Sequence, residues 1–202
     1  MYVNHAGGER LAGTPDGKGW WVLHNNGSVA PYGTAKGYGG YTAGKAKSLP
    51  VAITATPDGK GYWLVAANGT VHPFGDAKSY GPTAALHPAK PVVGIASTPD
   101  GKGYWLVTSG GGVYSYGDAL PFGPTAALHP AKPVVGIAST PDGKGYWLVT
   151  SGGGVHSYGD ARPYGSDGGK KQTKPIVGLI ASSTGTSYAL VNSSGAANNF
   201  PA

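Results

Sequence analysis

The stretch Thr98-Pro-Asp-Gly-Lys-Gly-Tyr-Trp-Leu-Val107 decides the fold, because it recurs along the chain at a fixed interval. Three close copies begin at Thr14, Thr56 and Thr140, and a fifth, degraded copy begins at Ser182. The aromatic residue after the turn lies at positions 20, 62, 104, 146 and 188, so that successive copies are 42 residues apart. A constant period of this size is typical of proteins built by repeating one structural unit.

Each copy contains the elements of a small antiparallel sheet. In the best-defined copy, residues 91–97 are rich in β-branched residues and end at the Pro-Asp-Gly turn, in which Pro suits the second position and Gly supplies a positive φ. Residues 103–108 are apolar without polar alternation, so both faces of this strand are expected to be buried. Residues 113–116 form the third predicted strand. Residues 120–123 form a short fourth one, whose Pro suits a sheet edge.

The second and third strands of a copy are joined by a tight turn. In the first two copies this turn carries Asn26-Gly27 and Asn68-Gly69. Asn-Gly is a strong signal for a two-residue hairpin loop in which both residues have φ above zero. The sequence therefore predicts this turn type at both places.

A four-stranded meander that is buried on both faces and repeats every ~40–45 residues is typical of a β-propeller blade. We therefore predict an all-β, five-bladed propeller without helices, forming one domain over residues 1–202. The expected blades cover approximately residues 9–39, 49–81, 91–123, 133–165, and 175–202 plus 1–5. The fifth copy stops after its third strand, so the segment Met1-Tyr-Val3 is expected to complete the last blade and close the ring. The alternative is an open solenoid, which should carry polar caps at both ends.

Composition limits the classes of partner. The net charge is +6, from 15 Lys and Arg against 9 acidic residues, and it is spread around the repeats. A diffuse positive charge favours weak attraction to anionic polymers but not specific nucleic-acid binding, which needs a clustered basic surface. No apolar run reaches the ~20 residues of a membrane helix, so no membrane insertion is expected. A monomer is expected.

Catalysis and metal binding have little support in the sequence. Glu9 is the only glutamate, and every aspartate except Asp167 belongs to a repeated turn, where its side chain is expected to bind nearby backbone. Identical acids on identical turns lack the asymmetry that acid–base catalysis requires. We therefore predict a non-enzyme, and an enzyme using Glu9 or Asp167 remains a distant alternative. The chain has no cysteine, and its histidines show no metal-ligand spacing, so we expect no metal and no cofactor. These histidines are His5, His24, His72, His87, His129 and His156.

Tryptophan follows the repeated aromatic residue in four copies, and the fifth copy has Ala189 there. One interpretation is a core between blades, and the other is a platform on which sugars stack, since aromatic faces offer large rigid apolar area. We predict ligand-binding clefts at blade boundaries, lined by this tryptophan series and by residues of the linkers between blades. If the tryptophans are buried, the linker residues remain. The candidate residues are Trp21, Trp63, Trp105, Trp147, His87, Lys90, His129 and Lys132.

The repeated string, followed by Gly-Gly-Gly-Val, Tyr-Gly-Asp-Ala and a final aromatic-Gly, resembles repeats in secreted and cell-wall-associated actinobacterial proteins. This resemblance covers nearly the whole chain and implies an extracellular or cell-wall location, although residues 1–6 lack the features of a signal peptide. A five-bladed ring of near-identical units is similar in architecture to the tachylectin-2 type of lectin, which binds N-acetylated sugars between blades. None of that lectin's sugar-binding motifs maps onto this chain, so only the arrangement carries over.

The leading hypothesis is a non-enzymatic, multivalent module that binds cell-surface or cell-wall glycans, because several weak equivalent sites on one ring gain avidity. The alternative is a structural or protein-interaction scaffold without a small ligand. Residues 81–113 are identical to residues 123–155. Such identity indicates recent duplication or deliberate construction of a repeat protein, and it favours the alternative.

Overall fold

The computed structural model describes residues 2–4, 10–41, 48–81, 86–123 and 128–201. Within these ranges the chain is all β, as predicted, and it contains no helix. The strands are β1 (Tyr2–Asn4), β2 (Arg10–Gly13), β3 (Gly19–Leu23), β4 (Val29–Gly33), β5 (Pro50–Ala55), β6 (Gly61–Ala66), β7 (Val71–Gly75), β8 (Val92–Ser97), β9 (Gly103–Thr108), β10 (Val113–Gly117), β11 (Val134–Ser139), β12 (Gly145–Thr150), β13 (Val155–Gly159), β14 (Ile176–Ala181), β15 (Ser187–Asn192) and β16 (Ala197–Pro201).

The described strands form five antiparallel sheets, one for each copy of the repeated stretch. Repeat 1 contains β1 to β4, and repeats 2 to 5 each contain the next three strands in chain order. In every sheet the strand that follows the Pro-Asp-Gly turn, or its degraded form, pairs with a neighbour on each side. We call the place where two repeats meet a boundary, numbered by the repeats it joins.

The Pro-Asp-Gly turn forms as predicted. The Gly101 N–H donates to the Thr98 carbonyl oxygen at 3.0 Å, and Gly101 has a φ of 71°. The Asp100 carboxylate accepts from the Lys102 N–H at 3.1 Å and from the Thr98 hydroxyl at 2.9 Å. The aspartate therefore ties the turn together, which is why this residue type recurs in it.

The Asn-Gly turns differ from the prediction. Gly27 has a φ of 88°, but no described non-glycine residue has a positive φ, so Asn26 does not adopt the predicted conformation. The Gly27 N–H donates to the His24 carbonyl oxygen, and the Asn26 side chain accepts from the Ser28 N–H at 3.0 Å. The loop is thus one residue longer than predicted. It is a type I turn followed by a left-handed glycine, the common three-residue hairpin loop.

The fourth strand predicted for residues 120–123 does not form, and repeats 2 to 5 have three strands among the described residues. Pro121 has no N–H to donate to a ladder. The Leu120 carbonyl oxygen accepts instead from the indole N–H of Trp105 at 2.8 Å. Phe122 packs against Tyr146 of the next repeat, with ring centroids 6.1 Å apart. The segment therefore crosses to the next repeat instead of extending its own sheet.

The core lies between neighbouring sheets. All six residues of β9 are buried, which confirms that both faces of this strand are covered. On one face, Trp105 and Val107 pack with Ile137 and Tyr146 of repeat 4. Clusters with the same composition fill boundaries 1/2, 2/3 and 4/5. Each fully buried large apolar side chain contributes about 1.5–3 kcal/mol relative to exposure, so these boundaries supply much of the stability.

The strands before the Pro-Asp-Gly turns lie side by side in chain order, from β2 through β5, β8 and β11 to β14. The Ser97 hydroxyl donates to the Ala55 carbonyl oxygen at 3.4 Å, and the Ser139 hydroxyl repeats this contact with Ser97 at 3.3 Å. A cavity of about 440 Å³ is lined by residues from all five repeats. Small and hydroxyl-bearing side chains dominate its wall.

The sequence predicted that the N-terminal segment completes the last blade, and this prediction was wrong. Strand β1 pairs with β2, with Val3 opposite Leu11, and it also lies beside β14 of repeat 5. Pairing with the strand that follows it closely in sequence closes a shorter loop, and therefore loses less entropy, than pairing with β16 at the other end of the chain. The segment still lies between the last repeat and the first.

Candidate functional sites at the repeat boundaries

The tryptophan series lies in the core. Trp63 is fully buried, its ring centroid lies 5.8 Å from that of Tyr104 in the next repeat, and its indole N–H donates to the Lys78 carbonyl oxygen at 2.7 Å. The other three tryptophans are equally buried and donate in the same way. These are Trp21, Trp105 and Trp147, which donate to the carbonyl oxygens of Lys36, Leu120 and Arg162. Of the two interpretations, this placement favours the core, because the indole faces are not open to a sugar.

After the third strand of repeats 1 to 4, the chain passes along the next repeat in a stretch that we call the crossing segment. Its sequence is Gly, Asp or Thr, Ala, two variable residues, Tyr or Phe, and Gly. The hydroxyl of Tyr80 donates to the Gly101 carbonyl oxygen in the next repeat at 2.8 Å. Tyr38 and Tyr164 make the same bond to Gly59 and Gly185, at 3.2 and 2.7 Å. The crossing segments are residues 33–39, 75–81, 117–123 and 159–165.

Two boundaries carry equivalent clefts beside the crossing segment. The cleft at boundary 2/3 has a volume of about 320 Å³ and is lined by Asp76, Lys78 and Tyr80, with Trp63 also in its wall. The cleft at boundary 4/5 has a volume of about 340 Å³. Its lining includes the residues at the equivalent positions, Asp160, Arg162, Tyr164 and Trp147. Each cleft therefore combines carboxylates, at least one cation and a phenol around a buried indole.

The carboxylates in these clefts differ in their electrostatics. The pKa of Asp58, in the wall of the 2/3 cleft, is lowered to about 2 by the hydrogen bond from the Lys60 backbone and by that from Thr56. Burial and the neighbouring Asp142 carboxylate raise the pKa of Asp160 in the 4/5 cleft. The pKa of Asp142, which occupies the position of Asp58 in the 4/5 cleft, is also lowered, mainly by the hydrogen bond from Thr140. The difference therefore lies between the aspartates of the Pro-Asp-Gly turns and Asp160 of the crossing segment.

The other two boundaries lack part of this set. At boundary 3/4, Leu120 and Phe122 occupy the positions of Lys78 and Tyr80, so neither the cation nor the phenol is present. At boundary 1/2, Thr34 stands in the place of the aspartate, and its hydroxyl donates to Asp16 at 3.1 Å. These two boundaries provide natural comparisons for the two complete clefts.

The structure brings two of the four predicted linker residues together. Lys90 and His129 line one cavity of about 320 Å³ with Leu128 and neighbouring residues. His87 and Lys132 are also exposed but do not line this cavity. Lys132 lies against Gly152, as Lys90 lies against Gly110, so the periodic pattern that pointed to these residues is real. Lys90 thus shares a cavity with His129 of the following linker and not with His87 of its own linker.

The residues considered for catalysis are placed as follows. Glu9 lies outside the described residues, as does His5. Asp167 is buried, accepts from the Lys170 ammonium group at 2.8 Å and accepts from the Asn198 amide at 2.7 Å. The hydrogen bond from Lys170 is the main cause that lowers the Asp167 pKa. A carboxylate held ionised in this way fixes the loop before repeat 5 against β16.

One exposed aromatic pair was missed by the sequence reasoning. Trp20 and Tyr32 are each 46% exposed, and their rings are stacked with centroids 5.8 Å apart and an interplanar angle of 12°. Tyr62, at the position equivalent to Trp20, is fully buried. The sequence feature that could have identified this pair is the residue type, because the other four copies have Tyr where the first copy has Trp.

Comparison with protein-family models and with curated proteins finds no match to this chain. Among the described residues there is no cluster of three or more histidine, cysteine or acidic side chains that could hold a metal ion. The same part of the chain contains no helix long and apolar enough to cross a membrane.

Proposed function

We propose that the five repeats form a closed five-bladed β-propeller that binds cell-surface or cell-wall carbohydrate at its repeat boundaries, without catalysing a reaction. Closure is supported by the contacts of the inner strands in chain order and by β1, which pairs with β2 and lies beside β14. The cavity shared by all five repeats supports it as well. Five repeats fall within the usual range of four to eight blades.

The observation that carries the binding proposal is the recurrence of one polar cleft at boundaries 2/3 and 4/5. A sugar ring presents several hydroxyl groups that both donate and accept hydrogen bonds. In the 2/3 cleft, Asp76 is an acceptor for such hydroxyls and Lys78 a donor, and in the 4/5 cleft Asp160 and Arg162 take these roles. Two equivalent sites on one rigid body gain avidity on a surface that displays many copies of a ligand.

In this proposal the buried tryptophans shape the clefts but do not stack on the ligand. Trp63 and Trp147 lie in the cleft walls with no exposed ring face, and their indole N–H groups are already bonded to the crossing segments. The cavity between Lys90 and His129 is a further candidate contact for acidic groups of a polymer. Attraction of that kind weakens with salt, unlike hydrogen bonding within a cleft.

A protein-interaction scaffold is the second candidate function. The exposed Trp20–Tyr32 pair favours it, because exposed apolar patches on repeat proteins mark interaction surfaces. The identity of residues 81–113 with residues 123–155 is also what a repeat protein without an evolved small ligand would have.

The first test is a binding screen of glycans and cell-wall polymers at low and at physiological salt. The informative variant is Lys78→Leu with Arg162→Leu, which copies the residue that boundary 3/4 carries at this position and so should fold. The matched control is Lys171→Leu with Lys174→Leu, which removes the same charge from exposed positions that line neither cleft.

The proposal predicts binding that persists at physiological salt, that falls at least tenfold in the cleft variant and that is unchanged in the control. An equal loss of affinity in both variants would show that the binding is a non-specific attraction between charges. Absence of binding to every glycan and polymer would leave the scaffold as the better account.

A further inference from the structure

Boundary 5/1, where the last repeat meets the first, is built from different residues than the other four. Repeat 5 has Ala189 where each other repeat has a fully buried tryptophan. Repeat 1 has Trp20 where each other repeat has a tyrosine. The two residues that would meet across this boundary are therefore both exceptional.

The face of repeat 1 that points toward this boundary carries an exposed aromatic residue. Trp20 is 46% exposed, whereas Tyr62 and Tyr188, which occupy the same position, are 0% and 2% exposed. A second observation concerns the turn. A Cβ placed on Gly59 would meet Pro15 of the preceding repeat at 2.8 Å, but one placed on Gly17 would meet nothing within 4 Å. Among the described residues, none lies over Gly17 in the way that Pro15 lies over Gly59.

The opposing face of repeat 5 carries a hollow. A cavity of about 300 Å³ is lined by Ile180, Tyr188, Ala189 and Asn199, among others. In the other four repeats this side of the sheet is filled by a tryptophan side chain, as Trp147 fills it in repeat 4. Replacing tryptophan with alanine leaves a space of aromatic size.

These two faces continue an interface that the chain already makes. Strand β1 pairs with β2 and lies beside β14, so the inner part of boundary 5/1 is occupied. Farther out, Trp20 and Tyr32 are exposed on one side and the hollow over Ala189 opens on the other. In the part of the chain that the structure describes, the groove between these two sides is open, and it is the outer continuation of the β1–β14 contact.

The other boundaries identify the chemistry that fills such a groove. At each of them a backbone carbonyl oxygen of the crossing segment accepts a hydrogen bond from the indole N–H of the buried tryptophan. The Tyr or Phe ring of the same segment packs against the next repeat. Tyr80, for example, lies 6.0 Å from Tyr104 between ring centroids and donates to Gly101. The residue of repeat 1 that corresponds to Gly101 is Gly17.

We propose that boundary 5/1 is a docking groove for an extended peptide of the crossing-segment type, Gly-Asp-Ala-x-x-Tyr-Gly, carried by another molecule. The tyrosine ring packs against Trp20, and its hydroxyl donates to the Gly17 carbonyl oxygen. A second molecule thus supplies the kind of segment that each other boundary receives from its own chain. The docking does not depend on carbohydrate binding at the other boundaries.

The test uses the full chain and the synthetic peptide Gly-Asp-Ala-Arg-Pro-Tyr-Gly, which copies residues 159–165. Trp20 is exposed while the other four tryptophans are fully buried, so docking should shift the tryptophan emission to the blue. Calorimetric titration measures the affinity in parallel. A control peptide with Ala for Tyr should bind at least tenfold more weakly, and one with Phe for Tyr about 2- to 10-fold more weakly, since it loses one hydrogen bond.

Two variants of the protein make the test specific. Ala189→Trp restores the residue that fills the other boundaries, and it should weaken peptide binding at least tenfold while raising Tm. Trp20→Ala removes an exposed ring, should leave the fold intact, and should also weaken binding at least tenfold. Failure of the peptide to bind the folded wild-type chain would overturn the proposal. So would binding that both variants retain, or a blue shift caused by oligosaccharides and not by the peptide.

Discussion

The hydroxyl of Tyr80 donates a hydrogen bond to the carbonyl oxygen of Gly101 at 2.8 Å, and this bond joins two neighbouring repeats. One boundary later, Phe122 occupies the place of Tyr80 and has no hydroxyl to donate. The repeats are otherwise so similar that each boundary serves as a control for the next.

Phe122→Tyr should stabilise the protein, because it supplies boundary 3/4 with the bond that Tyr80 makes at boundary 2/3. An intramolecular hydrogen bond contributes about 0.5–1.5 kcal/mol net, so the free energy of unfolding should rise by that amount. Tyr80→Phe should lower it by a similar amount. Urea denaturation of the two variants checks this, and a Phe122→Tyr variant no more stable than the wild type would show that the bond does not form there.

Trp105→Ala should be severely destabilising, whereas Trp20→Ala should not. Trp105 is fully buried and its indole N–H is bonded to Leu120, so truncation leaves a cavity and costs about 3–5 kcal/mol. Trp20 is nearly half exposed, and its loss should cost no more than about 1 kcal/mol. Thermal and urea denaturation should therefore separate two tryptophans that lie in equivalent strands. Similar losses in both variants would contradict the assignment of Trp105 to the core.

Acid should destabilise the fold between about pH 4 and pH 2. The turn hydrogen bonds lower the pKa of Asp58 and Asp100 from 3.8 to about 2, so the folded state favours the ionised form. The resulting stability is present above pH 3.8 and is lost as the pH falls toward 2. The double variant Asp58→Asn with Asp100→Asn should show a shallower decline in urea midpoint over this range. A decline as steep as that of the wild type would show that groups other than Asp58 and Asp100 cause the acid sensitivity.

Asp160→Asn should stabilise the protein at neutral pH. Burial and the Asp142 carboxylate raise the pKa of Asp160 in the folded state, so the folded protein binds this proton more tightly than the unfolded chain. The contribution is favourable below the unfolded pKa and is lost as the pH rises through the folded pKa. The variant should therefore have a higher Tm at pH 7 and lose that advantage near pH 3. A lower Tm at pH 7 would mean that the charge of Asp160 is needed.

The repeat period, the all-β class and the doubly buried central strand could be predicted, because they follow from spacing and from apolar pattern alone. The predicted edge strand at residues 120–123 was wrong, since a short segment with a proline and an aromatic residue also suits a crossing segment. The crossing segment forms because the indole N–H of Trp105 donates to the Leu120 carbonyl oxygen, which is then not available to an edge strand. That contact joins residues 15 apart, and no local pattern encodes it.

The candidate sites were predictable only in their location. Periodicity pointed to boundaries and to linkers, and the structure does bring Lys90 and His129 together there. Exposure of the tryptophans could not be read from the sequence, because a large aromatic residue suits both a core and a binding surface. Trp20 was overlooked for the same reason, and its exposure reflects the different residues at boundary 5/1, where Ala189 replaces the buried tryptophan of the other repeats.

The most direct test of the central claim is the number of carbohydrate molecules that bind per chain, measured by calorimetric titration with the best ligand from the binding screen. The account predicts about two for the wild type, none for Lys78→Leu with Arg162→Leu, and a third site in Leu120→Lys with Phe122→Tyr, which rebuilds the cleft at boundary 3/4. A stoichiometry that none of these substitutions changes, in variants that fold, would contradict it.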